Sequence, residues 1–241
     1  MYKTIAFISD IHLDEKFPAE NGVDARKNWE KILSDIYLRH IDKIIFGGDI
    51  GSPAAHEYFF NSLKQYSGRL NVILGNHDKY REVKKIFSPE LAESEAELFY
   101  SFEDNLYKYF YLDSSADKVS PVQLNWLEKE LFISDKRPVI FIHHPVLQVN
   151  TPVDLEFPLI NREEIKNILF EYGNEIFLFC GHYHMDDETV VENIKQFITP
   201  AASYQAIKEA DKIEINVNEF GYRIINFIDD EIKSEVVLFK Q

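Results

Sequence analysis

The feature that most restricts what this chain can fold into is a pattern that occurs five times: a short apolar run followed at once by metal-binding residue types. IAFIS leads into Asp10-Ile11-His12, KIIFGG into Asp49, LNVILG into Asn76-His77-Asp78, PVIFI into His143-His144, and EIFLFC into Gly181-His182-Tyr183-His184. Such runs predict buried strands, here over 3–9, 42–47, 69–74, 138–142 and 175–180. Helix-period segments lie between them. Residues 23–40 carry Trp29, Ile32, Leu33 and Ile36 on one face, 53–66 open with Ser52-Pro53, 120–131 with Ser120-Pro121, and 161–173 close on Gly173. In an open α/β sheet, ligands bind beyond the carboxyl ends of the strands. If the five strands share a sheet, their tips converge on one edge and bring six of the eight histidines with them.

The remaining segments read differently. Residues 98–113 predict a hairpin turning at Glu103-Asp104-Asn105, its aromatic residues serving the core and cross-strand pairs, with a base-binding wall as the lesser reading. The tail is strand-like, with turn signals at Glu192-Asn193, Asn218 to Gly221 and Asp229-Asp230. An α/β body therefore gives way to a largely antiparallel end. The expectation is one domain over 1–241, with two sheets packed together and helices outside.

Charge and composition exclude several function classes. The formal net charge is −15, from 41 acidic and 26 basic residues, and no basic stripe suits a nucleic-acid polymer. An acidic surface disfavours anionic membranes, and no run approaches the roughly 20 apolar residues that span a bilayer. Cys180 is the single cysteine, so no internal disulfide can form, which fits a cytoplasmic protein. A small anionic substrate stays admissible, because bound cations reverse the local sign. A monomer or homodimer is expected.

The residues at the tips define the chemistry. Asp10, Asp49, Asn76 and several imidazoles form a mixed set that suits Mn²⁺, Fe²⁺ or Zn²⁺ and not an all-oxygen calcium site. Seven ligands are too many for one tetrahedral ion. Two ions about 3.5–4 Å apart, sharing a carboxylate, would use them. Two dications outweigh two aspartates and a hydroxide, so a phosphate is drawn to this edge despite the acidic surface. The same ions lower the pKa of a bridging water to about 7, giving a hydroxide nucleophile.

The order Asp10-x-His12, Gly48-Asp49, Gly75-Asn76-His77-Asp78, His143, Gly181-His182-x-His184 resembles the calcineurin-like metallophosphoesterase superfamily across residues 10–184. The resemblance implies a four-layer α/β/β/α sandwich of two mixed sheets flanked by helices. It implies a first metal on Asp10, His12, Asp49 and His184, and a second on Asp49, Asn76, His143 and His182, with Asp49 bridging. His77 would bind no metal but would hold the phosphate and assist the leaving oxygen, so Asp49 and His77 are the expected catalytic residues. Asp49 is followed by Ile50-Gly51-Ser52, unlike the Asp-Arg-Gly of Ser/Thr protein phosphatases, and no tyrosine stands nearby as in purple acid phosphatases. His77 stands where lipid A pathway pyrophosphatases usually show arginine. Bacterial class III cyclic-nucleotide phosphodiesterases are similar over Leu112 to Ser115, Ser120 to Leu131 and Thr199 to Gln205. The resemblance implies phosphodiester hydrolysis, with a 3',5'-cyclic nucleotide as one candidate substrate. A phosphomonoesterase and a non-catalytic binding scaffold are the alternatives.

Other residues carry plainer expectations. His40 reads as a helix-end residue, His56 as structural more than site-lining, and His144 as support for its neighbours. Asp78 is either a turn residue or an orienter of His77, and Asn161 a helix cap. Cys180 is a buried small hydrophobe, and Tyr183 either packs or faces substrate.

Overall fold

Alternation of side chains along the strands assigns each strand to the boundary between two layers. The computed structural model describes residues 2–87, 89–90 and 92–241, apart from the side chains of residues 67 and 68. One sheet orders β13 (Glu231–Lys240), β12 (Glu219–Ile228), β1 (Tyr2–Ile8), β2 (Lys43–Phe46) and β3 (Leu70–Val72). The other orders β4 (Tyr100–Glu103), β5 (Tyr107–Tyr111), β6 (Arg137–Phe141), β7 (Ile176–Cys180), β9 (Ile194–Ile198) and β8 (Asp187–Val191). A small pair, β10 (Gln205–Ala206) and β11 (Ile215–Asn216), stands apart. Both large sheets are mixed. β1, β2 and β3 run parallel in the first, and β5, β6, β7 and β9 in the second, with antiparallel strands at the margins.

The helices are α1 (Lys16–Glu20), α2 (Ala25–Leu38), α3 (His56–Ser62), α4 (Tyr80–Val83), α5 (Pro121–Ile133), α6 (Pro152–Glu156) and α7 (Arg162–Tyr172). Trp29 of α2 and Phe59 of α3 close on Phe46 of β2, with centroids 6.2 and 4.6 Å from its ring. Leu124, Leu127 and Leu131 of α5 and Ile165 and Leu169 of α7 cluster with Ile140, Ile176 and Leu178. The odd-numbered neighbours Val139, Phe141, Phe177 and Phe179 belong instead to the cluster that holds Ile5 and Phe7. The layers are therefore helix, sheet, sheet, helix. Among the described residues, no helix is long and apolar enough to cross a membrane.

The middle of the sandwich is aromatic. Phe141 is fully buried, with ring centroids 5.5 Å from Phe7, 5.3 Å from Tyr111 and 5.6 Å from Phe179. Phe141→Ala is expected to cost about 3–5 kcal/mol, because the cavity opens between two sheets that cannot collapse independently. Urea unfolding measures it, and a loss below about 1.5 kcal/mol, the cost of a volume-conserving swap, would contradict this packing.

Three sequence expectations change here. The five strands before the metal-binding residues do not share one sheet: three lie in the first and two in the second. Their tips still meet, because the stacked sheets present their carboxyl ends on the same side. The helix expected over 53–66 is broken into a 3-10 turn at Pro53–Ala55, α3, and a 3-10 segment at Lys64–Arg69. Ser62 donates its hydroxyl to the Phe59 carbonyl at 2.6 Å while accepting from the Trp29 indole at 2.8 Å, competing with the helical ladder. Asn161 stands at the N-cap of α7 without capping it. Its amide pairs with both backbone groups of Val119, at 3.0 and 2.9 Å. The aromatic hairpin is β4–β5, and Tyr109 and Tyr111 lie fully buried in the inter-sheet core.

Candidate metal centre

The segments following β1, β2, β3, β6 and β7 turn sharply, and the turns are made by the functional residues themselves. Asp10, His12, Asp49, His182 and His184 all hold positive φ, between 49° and 67°. Non-glycine residues rarely adopt this conformation, and each instance costs of order 1–3 kcal/mol that the surrounding structure must offset. Glycines beside them permit the close approach. A Cβ on Gly75 would lie 2.7 Å from both Asp49 Cγ and His143 Cε1, and one on Gly181 would lie 2.5 Å from Asp10 Oδ2.

Each carboxylate is held by one oxygen and leaves the other free. The His182 amide donates to Asp10 Oδ2 at 3.0 Å, and the His77 amide to Asp49 Oδ1 at 2.9 Å. Asp10 Oδ1 lies 3.3 Å from His184 Nε2 and 3.8 Å from His143 Nε2. Asp49 Oδ2 lies 3.3 Å from His143 Nε2 and 3.7 Å from His12 Nε2. The imidazoles are oriented from behind: His143 Nδ1 faces the Gly47 carbonyl at 2.7 Å, His184 Nδ1 the Tyr204 carbonyl at 3.0 Å, and His12 Nδ1 the Glu15 carboxylate at 3.0 Å. These acceptors place the proton on Nδ1 and leave Nε2 as an inward lone pair. For His182 the order reverses, since its Nε2 faces the Phe157 carbonyl at 3.0 Å.

This arrangement leaves several inward polar atoms without partners. The Nε2 atoms of His12 and His184 face each other at 3.2 Å. Asp10 Oδ1, Asn76 Oδ1 and His143 Nε2 are buried with no hydrogen-bond partner. An unsatisfied buried polar atom costs about 1–3 kcal/mol, and three of them among the expected ligands fit cations. The titration behaviour points the same way. Burial works against the charge on His143, yet Asp49 and Asp10 push its pKa up to about 10. Burial also works against the Asp10 carboxylate, yet His184 and His143 hold it below the usual range. His182 is pushed down to about 3 by burial and by His143, which outweigh Asp49 and Asp10. Among the described residues, three groups have ligand atoms mutually within 4.8 Å: Asp10 with His12 and His184, Asp49 with His143 and His182, and His12 with Asp49 and His77.

All seven expected metal ligands and His77 thus meet at one place. Asn76 and His77 line a cavity of about 250 Å³ with His12, Asp49, His182 and His184. His77 is exposed to that cavity, whereas Asp10 and His143 are fully buried beneath it. His56 is buried elsewhere. His144 backs the centre, with its Nδ1 2.8 Å from Ser114 Oγ and its ring centroid 4.0 Å from that of His182. Asp78 accepts from the amides of Asp49, Ile50 and Gly75 at 2.7, 3.0 and 3.0 Å. It ties two ligand loops together and is a turn residue in that sense. Tyr183 also lines the cavity, while its hydroxyl donates to Asp154 Oδ1 at 2.5 Å.

Sequence reasoning missed two parts of the site. Glu15 contacts both His12 and His77. Its only signal was a carboxylate three residues after a metal-binding histidine. The outer cavity wall, formed by Phe17, Phe157, Tyr204, Ile213 and Ile215, left no pattern because its members come from four separate segments.

Comparison with known proteins now decides the family. Residues 3–186 match the calcineurin-like phosphoesterase family. The chain belongs to that family. It is a metal-dependent phosphoesterase, and it carries the residues to hold metal. A probable cyclic nucleotide phosphodiesterase of Fibrobacter succinogenes is 27% identical over 205 residues, 83% of this chain and 80% of the relative. A probable glycerophosphodiester phosphodiesterase of Arcobacter nitrofigilis is 29% identical over 221 residues, 85% of this chain and 80% of the relative. The crystal structure of a dimetal phosphatase from Danio rerio superposes with a TM-score of 0.67 at 13% identity, covering 99% of this chain and 98% of that one. That likeness is one of fold.

Proposed function

We propose that this phosphoesterase hydrolyses phosphodiesters, with cyclic nucleotides as its substrate class, at a two-metal centre. The observation that carries the reading is the position of Asp49. Its Oδ2 stands between His143 on one side and His12 on the other, so it belongs to two ligand groups at once. Asp10, His12, Asp49 and His184 would hold one ion, and Asp49, Asn76, His143 and His182 the other. The mixed donor set suits Mn²⁺, Fe²⁺ or Zn²⁺. Two such ions, when bound, supply a hydroxide at neutral pH and neutralise charge on the phosphorane-like transition state.

The chain's own residues do the rest. His77 lines the cavity above the ligands, half-exposed, and hydrogen bonding to Glu15 outweighs its partial desolvation, keeps it cationic and pushes its pKa up to about 9. It would donate a proton to the departing ester oxygen as the phosphorus–oxygen bond breaks. The apolar wall of Phe17, Phe157, Tyr204, Ile213 and Ile215 would seat a flat, weakly polar group on that alcohol. A nucleoside has such a group and glycerol does not, which favours the first of the two relatives' chemistries.

With Mn²⁺ added, cyclic AMP and bis(p-nitrophenyl) phosphate are expected to turn over at least about 10-fold faster than p-nitrophenyl phosphate and glycerophosphocholine, a gap of about 1.4 kcal/mol. EDTA should abolish all turnover, and fresh Mn²⁺ should restore it. Faster monoester cleavage would overturn the diester reading, and faster glycerophosphocholine cleavage the nucleotide one.

A further inference from the structure

Glu15 stands at the N-cap position of the short helix α1 but makes no cap hydrogen bond with its side chain. Its carboxylate turns instead toward two imidazoles. Oε2 lies 3.0 Å from His12 Nδ1 and 3.0 Å from His77 Nδ1, and Oε1 lies 3.1 Å from His77 Nδ1. The two rings sit edge to face with centroids 4.7 Å apart. The Glu15 side chain is 18% exposed and its contact with His12 is shielded from water, while the His77 ring, 45% exposed, opens on the cavity.

A carboxylate can only accept hydrogen bonds. Each Nδ1 facing it must therefore carry the proton. For His12, this leaves Nε2 as the lone pair toward Asp49 and His184. For His77, it leaves Nε2 as the nitrogen available to the cavity. One side chain thus holds the Nδ1–H of a ring beneath the substrate site and of a ring beside it. No other described residue contacts both rings' Nδ1 atoms.

We propose that Glu15 is a positioning residue that fixes the ring orientation of His77 by holding its Nδ1–H, and so aims its Nε2–H at the leaving oxygen, while it also supports His12 as a ligand. The inference rests on the proposed role of His77. Its His12 arm resembles the carboxylate–histidine–metal relay of many metal sites, where removing the outer partner costs about 10–100-fold. The His77 arm predicts something a metal-support role does not: dependence on how much protonation the leaving group needs.

The test uses Glu15→Gln and Glu15→Ala beside the wild type, each saturated with Mn²⁺ and assayed on aryl methyl phosphates of increasing phenol pKa. Glutamine keeps the size but removes the charge and can serve only one ring as an acceptor. The expected result is a fall at least about 10-fold larger on the most basic phenolate than on p-nitrophenolate, with metal content unchanged. In parallel, the Zn²⁺-loaded, ¹⁵N-histidine-labelled protein should show a hydrogen-bonded, exchange-protected His77 Nδ1–H in the wild type and loss of that protection in Glu15→Gln. A uniform fall that tracks metal loss would confine Glu15 to His12 and overturn the proposal. So would an unchanged His77 spectrum. If the wild type cleaves none of these diesters, the proposed function fails, and the ¹⁵N spectra still decide the role of Glu15.

Discussion

Replacing Asp49 with asparagine is expected to release at least one metal ion per chain and to lower turnover by about 10³-fold or more. Asparagine can still accept from the His77 amide, as Asp49 Oδ1 does at 2.9 Å, so the loop keeps its local bond. What disappears is the negative charge at Oδ2, between His143 at 3.3 Å and His12 at 3.7 Å. That charge would offset the repulsion of two adjacent dications. Metal assistance is worth several kcal/mol at the transition state, and about 4 kcal/mol corresponds to 10³ in rate. Elemental analysis of the purified variant, with turnover at saturating Mn²⁺, checks both parts. An Asp49→Asn protein that retains two ions per chain would remove Asp49 from the bridging position.

His77→Ala is expected to separate rate from metal binding. General acid assistance contributes about 10²–10⁴, and loss of that order is expected on cyclic AMP, with metal content near that of the wild type. The geometry makes this a real choice, because His77 also falls within ligand distance of His12 and Asp49. Two observations favour the acid over the ligand. His77 is exposed to the cavity, and its Nδ1 is occupied by Glu15. Loss of one ion in the alanine variant would make His77 a ligand. Full turnover with both ions bound would remove it from the reaction.

Much of the fold could be read along the chain, and the reason is local. Strand and helix periods are properties of ten or so neighbouring residues, so β1, α2, β2, β3, α5, β6, α7 and β7 fall close to their expected ranges, while the short helices α1, α4 and α6 carried no such signal. Where a long-range bond intervened, the reading failed. The indole of Trp29 reaches Ser62 across 33 residues and helps to end α3. Val119 claims the amide of Asn161 across 42 residues and takes it from the helix end.

The candidate site divides along the same line. Which residues are candidates for the chemistry was written in the order Asp10, His12, Asp49, Asn76, His77, His143, His182 and His184, because each follows an apolar strand and strand tips collect ligands. Their arrangement was not. Two stacked sheets, rather than one, bring Asp10 and Asp49 against His143 and His182, and the aromatic layer around Phe141 sets that stacking. Glu15 and the wall of Phe17, Phe157, Tyr204, Ile213 and Ile215 gain their place through contacts between segments distant in the chain. The metal-binding residues announce themselves by type and position, since few other residues can do that work. The groups that contact His77 and line the cavity are ordinary residues, and only proximity in space gives them a role.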